Sequence, residues 1–151
     1  MTKGPILGLD VGDRRVGVAI SDPDRRFALP LRSVERDRTD GALDAIARIV
    51  AEEEVAEVVV GLPLSLSGEA GPQAESATAF ARRLGDRLGL PIHLWDERLS
   101  TREAQRRVQG PSRGRGGRRE RPSREADVDA IAASIILQAY LDRQRLAAGG
   151  P

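Results

Sequence analysis

The chain has 151 residues, enough for one domain with a substantial core and short for two. It is 40% hydrophobic and only 3% aromatic, so Val, Ile, Leu and Ala must pack the interior; it holds no cysteine, which excludes disulfides and cysteine-ligated zinc. A net charge of +1 excludes a uniform polycation, and with Lys3 as the sole lysine the basic side chains are almost all arginine, a bias that lowers the weight of any single one.

Residues 6–11 and 15–21, within ILGLDVGDRRVGVAIS, are two Val- and Ile-rich runs across a turn and predict a β-hairpin. FALPLRSVE (27–35) predicts a third strand, with Pro30 placing it at an edge. GALDAIARIVAEEE (41–54) sets Ala42, Leu43, Ile46, Ile49 and Val50 at helical spacing. AEVVVGLPL (56–64) is the continuous apolar run of a strand covered on both faces. After the loop GEAGP (68–72), QAESATAFARRLGDRLG (73–89) predicts a helix closed by Gly89 and Pro91. PIHLWDE (91–97) predicts a short strand ending at Glu97, and Ser100 with Glu103 forms a capping box that starts a helix over 100–108.

Residues 110–124, GPSRGRGGRRERPSR, have no Val, Ile, Leu or aromatic side chain and predict a mobile Arg/Gly-rich loop. Residues 125–146 predict the last helix and 147–151 a frayed tail. A strand meander followed by βαβ units predicts one α/β domain over 1–151, a mixed five-stranded sheet with helices on both faces. The first ten residues lack the apolar stretch of a signal peptide, and no run approaches the ~20 apolar residues of a membrane span. A cytoplasmic protein with no membrane partner is therefore expected.

Three carboxylates stand in apolar settings. Asp10 closes the first strand run; either it caps the turn with Gly12 and Asp13, or it faces the crevice that strand ends line in open α/β sheets. Glu97 ends the last strand beside Asp96, and successive strand residues point to opposite faces, so at most one of the two faces the crevice; the alternative is that both simply favour a helix N-terminus. Asp129 heads a helical stripe with Ala132, Ala133, Ile136 and Tyr140 that should face the sheet, or it is an early-turn acid complementing the helix dipole. Together the three make a set of hard oxygen donors suited to Mg²⁺ or Mn²⁺, and a divalent ion would relieve the repulsion that otherwise raises their pKa values. His93 is a lone strand histidine and is read as structural, and Trp95 as packing.

The segments LDVGDRRVGVAIS, VVVGLPLSLSG, DERLST and VDAIAASIILQAYLD resemble, in that order, the motifs of the YqgF family, also called RuvX, from about residue 5 to 143. The resemblance implies a ribonuclease H-like fold and a metal-dependent nuclease. It implies processing of the 5′ end of the small-subunit (16S) ribosomal RNA precursor, with resolution of four-way DNA (Holliday) junctions as the alternative. Carried over by position, the family's acids fall on Asp10, Glu97 and Asp129, not Asp127.

In that frame the partner is nucleic acid, pre-ribosomal RNA or branched DNA. Gly12 would let a phosphate approach the hairpin turn, or is a plain turn glycine. Arg98 would fork a phosphate oxygen, or is a surface arginine. Thr101 is a further candidate contact. Arg113, Arg115, Arg118, Arg119, Arg121 and Arg124 would grip phosphates without reading sequence, or form a solvated loop. A monomer suits single-site trimming and a homodimer suits paired cuts on a two-fold junction. Two remoter readings are a non-catalytic nucleic-acid binder and an actin- or sugar-kinase-like phosphotransferase; the latter needs two lobes where 151 residues supply one.

Overall fold

The computed structural model describes residues 4–37, 39–99 and 124–149. In chain order these form β1 (Ile6–Val11), β2 (Arg15–Ser21), β3 (Ala28–Glu35), α1 (Gly41–Glu53), β4 (Glu57–Leu62), α2 (Pro72–Leu88), β5 (Ile92–Asp96) and α3 (Arg124–Gly149). The five strands make one mixed sheet in the order β3-β2-β1-β4-β5. β1 pairs antiparallel with β2, and β2 with β3; β4 lies parallel to β1 on its other side, and β5 parallel to β4. The expected meander and βαβ units are thus present, with β1 central.

Alternation along the strands divides the core in two. Leu7, Leu9, Val16, Val18, Val58 and Val60 face α1 and α2, where Leu43, Ile46, Ile49, Phe80 and Leu84 meet them. Ile6, Ala19 and Val59 face α3, packing on Ala133, Ile136, Leu137, Tyr140 and Leu141. β4 carries apolar residues on both sides because both sides are covered: Val58, Val59 and Val60 are each 0% exposed. Burying each such Val or Leu side chain contributes roughly 1.5–3 kcal/mol before entropy is counted.

β3 lies at the sheet edge, where Pro30 sits opposite Ala19 next to a bulge between Val18 and Ala19. There the missing N–H costs no ladder bond. α2 opens with Pro72 in its first turn and closes at Gly89, whose φ of +69° suits the left-handed cap and whose N–H reaches Gly85 O at 2.8 Å.

Two boundaries differ from expectation. β5 ends at Asp96, and residues 97–99 are already helical, so the turn begins three residues before Ser100. Asp96 does the capping: its Oδ1 accepts the Arg98 N–H at 3.0 Å, which satisfies a free amide of the first turn. α3 also runs on to Gly149, past the expected end at residue 146, so its last turn reaches into the expected tail. Of the expected Arg/Gly-rich loop, residues 110–123 lie outside the described residues, as do the capping-box residues Ser100 and Glu103, while Arg124 already belongs to α3 and not to the loop. No described helix is long and apolar enough to cross a membrane.

Candidate active site

The central strand carries Asp10 on the face that Ile6 and Gly8 share, towards α3, while Leu7, Leu9 and Val11 point the other way into the α1–α2 core. Its register partner on β2 is Gly17. Glu97 enters from β5, continuing the side of His93 and Trp95, both of which pack on Tyr140 of α3. Asp129 comes down from α3 itself. Three segments distant in the chain therefore bring their acids to one rim of the sheet, under α3.

Glycines make that approach possible. A methyl group on Gly17 would lie 2.0 Å from the Asp129 carbonyl oxygen and 2.4 Å from its carbon. One on Gly8 would lie 2.7 Å from Leu137 Cβ, and one on Gly61 would lie 2.6 Å from Glu97 Oε2 and 2.7 Å from Ile136 Cδ1. Any side chain at these positions would push α3 or Glu97 away. The sequence reading passed over all three, although a glycine inside an apolar strand is itself a sign of close backbone approach.

The electrostatics place Asp10 in the middle of the acids. Burial, and then the charge of Asp129, push its carboxyl above the ordinary range. Glu97 is pushed up to about 7, first by burial, then by Asp10 and Asp96. Asp96 moves the opposite way: the Arg98 guanidinium donates to both its oxygens, Nε at 3.0 and 3.1 Å and Nη2 at 2.6 Å, and holds it below the usual carboxylate range. Of the two neighbouring acids Glu97 lies towards Asp10 while Asp96 pairs with Arg98, and Glu97 does so as a first-turn helical residue and not as the end of a strand.

The three acids are neighbours without being a closed set. Among the described residues, no group of three His, Asp or Glu side chains is near enough to hold one ion. Asp129 has partners of its own: its Oδ2 accepts Arg15 Nε–H at 2.6 Å and Ser33 Oγ–H at 3.3 Å. Neither partner was visible in the sequence, since Arg15 lies 114 positions and Ser33 96 positions from Asp129.

The other expected contacts divide. Gly12 sits in the hairpin turn, its N–H donating to Arg15 O at 2.9 Å and its carbonyl accepting Arg36 Nη1–H at 2.8 Å. Arg98 spends its fork on Asp96, and its Nη1 also donates to Leu66 O at 3.1 Å, which ties the 63–70 loop to the end of β5. Thr101, Arg113, Arg115, Arg118, Arg119 and Arg121 lie outside the described residues. His93 bonds Glu57 Oε1 at 3.0 Å and stacks on Tyr140, a structural role as expected.

A family model described as "RuvX: Holliday junction resolvase" matches residues 4–143. The chain belongs to the RuvX family. A RuvX relative from Chloroflexus aurantiacus, named "Putative pre-16S rRNA nuclease", is 45% identical over 141 residues, covering 93% of this chain and 88% of that protein. A protein of the same name from Bradyrhizobium sp. strain ORS 278 is 42% identical over 141 residues, 93% of this chain and 84% of its own. Among solved structures, Thermus thermophilus RuvC in complex with a Holliday junction substrate superposes with a TM-score of 0.59 at 15% identity, covering 93% of this chain and 96% of that one. A second Thermus thermophilus RuvC structure gives 0.54 at 13% identity, covering 97% of this chain and 96% of that one. At such identities the likeness is one of fold, and the fold is ribonuclease H-like.

Proposed function

We propose that this RuvX protein is a metal-dependent nuclease that hydrolyses phosphodiester bonds of structured nucleic acid, and that its substrate is the 5′ end of the 16S ribosomal RNA precursor. The observation that carries the reading is the Asp10–Glu97 pair: two partly buried carboxylates, one beside the other, both raised in pKa. Such a pair is unfavourable in a protein that uses it for nothing, and a divalent cation offsets both the burial and the repulsion. The donor set is entirely oxygen, which fits Mg²⁺ or Mn²⁺. The names of relatives 42–45% identical over 93% of the chain support the RNA substrate.

Asp10, Glu97 and Asp129 would hold the ion or ions. When bound, one or two such ions supply an activated water at neutral pH and offset charge on the departing oxygen. The chain's own contribution is placement. The central strand fixes Asp10 in a covered, partly dry position, where charge interactions are stronger than in water. The helical turn begun at Asp96 fixes Glu97 against Gly61. Gly12 keeps the hairpin rim low beside Asp10, and the arginines of the 110–124 segment would grip the substrate backbone in a salt-sensitive way.

Asp10→Asn tests the reading. Cleavage of a 16S precursor fragment in Mg²⁺ should fall by about a hundredfold or more while binding is retained. Full cleavage by this variant would overturn the assignment. The family description favours a second substrate, the four-way DNA junction. Running both substrates side by side decides: faster cutting of the junction would replace the RNA reading.

A further inference from the structure

Asp129 Oδ2 carries two donors, Arg15 Nε–H at 2.6 Å and Ser33 Oγ–H at 3.3 Å. Both come from the sheet: Arg15 opens β2, and Ser33 is the cross-strand partner of Gly17, the residue over which the Asp129 backbone rests. Oδ2, held by a guanidinium and by a longer hydroxyl contact, is a poor cation ligand, so an ion taken by Asp129 would use Oδ1 alone or displace these donors. The geometry agrees, since no three described acids lie close enough to share one ion. The pair is nonetheless reachable, with Arg15 33% and Asp129 26% exposed. A guanidinium exchanges a carboxylate for a phosphate without losing its forked geometry.

We propose that Arg15, with Ser33, is a positioning residue that latches Asp129 away from Asp10 and Glu97 until a nucleic-acid phosphate draws the guanidinium off, so that substrate engagement completes the metal site. This rests on the metal-dependent nuclease reading above. Linkage makes the coupling reciprocal: nucleic acid tightens metal binding, and metal tightens nucleic-acid binding by the same factor. An ion held without substrate would be held by an incomplete set, which limits hydrolysis away from the intended site.

The test is a binding experiment on the whole protein. Mn²⁺ affinity is measured without nucleic acid, and the affinity for a labelled RNA stem is measured in EDTA and in Ca²⁺. Arg15→Gln should bind Mn²⁺ about fivefold or more tightly than the parent, and Ser33→Ala should shift the affinity the same way by less. Arg14→Gln, which removes an equal charge from the neighbouring exposed arginine, should change it by under about twofold. Ca²⁺ should strengthen RNA binding by the parent, and Arg15→Gln should lose that gain. Unchanged or weaker Mn²⁺ binding by Arg15→Gln, or retention of the calcium gain, overturns the latch. If the parent binds Mn²⁺ through Asp10 and Arg15→Gln matches it, only the latch falls. If the parent binds no Mn²⁺ with or without the RNA stem and Asp10→Asn changes nothing, the metal reading falls and takes the latch with it. Should Arg15→Gln fail to fold, Ser33→Ala decides, and parental affinity in that variant counts against the latch.

Discussion

Glu97 shows how a single residue can work against the fold that holds it. Its ordinary value is 4.5, and in the folded chain it is raised to about 7 by burial, Asp10 and Asp96. Between those pH values the folded chain keeps a proton that the unfolded chain has released. Stability from this group is therefore greatest below about 4.5, falls as pH rises, and is fully lost above about 7. Allowing for the solvent that reaches a partly exposed carboxylate, the loss amounts to about 1–2 kcal/mol. Urea unfolding in EDTA should show the parent losing that much relative to Glu97→Gln between pH 5 and pH 8; parallel curves would contradict the environment assigned to Glu97. Metal binding has the opposite sign, since it needs the carboxylate. Mn²⁺ affinity should rise through about pH 7 with release of one proton.

At the scale of elements, α3 depends on what the sheet lacks. Gly17, Gly8 and Gly61 lie on three adjacent strands and open the surface on which the helix rests. Gly17→Ala sets a methyl group 2.0 Å from backbone that cannot rotate away, whereas Gly61→Ala meets the ends of Glu97 and Ile136 side chains. The first should cost about 3 kcal/mol or more and displace Asp129; the second should cost about 1–2 kcal/mol and act mainly on Glu97. Thermal unfolding of the two variants would rank them, and a milder effect at Gly17 would mean that α3 docks less closely than described.

These elements also show what a sequence exposes. The strands were legible because Val, Ile and Leu recur at a period of two or run unbroken where both faces are covered. Asp10, Glu97 and Asp129 stood out because charge interrupted those patterns. Asp129's partners did not, because Arg15 and Ser33 belong to other strands and ordinary polar positions, and only the folded sheet sets them beneath α3. The helical start at Glu97 was hidden for a local reason. Asp96 and Ser100 are both good caps, and the choice between them follows from where β5 leaves the sheet.

For the molecule as a whole, the proposed metal site sets stability against function at the same residues. Burial and a neighbouring charge raise Asp10 and Glu97 and weaken the metal-free fold, which fits the proposed cation site. Asp10→Asn removes the middle charge, relieves Glu97, and leaves an amide in place of a buried carboxylate. In EDTA at pH 8 this variant should melt above the parent. Adding Mn²⁺ should reverse the order. At ten times its dissociation constant an ion that binds only the folded chain adds about 1.4 kcal/mol, or about 3–6 °C in Tm for a chain of this length. The parent should gain that increment, and Asp10→Asn should gain little of it. A Tm that rises equally in both would mean that Asp10 does not hold the ion and that its burial on β1 serves the fold alone.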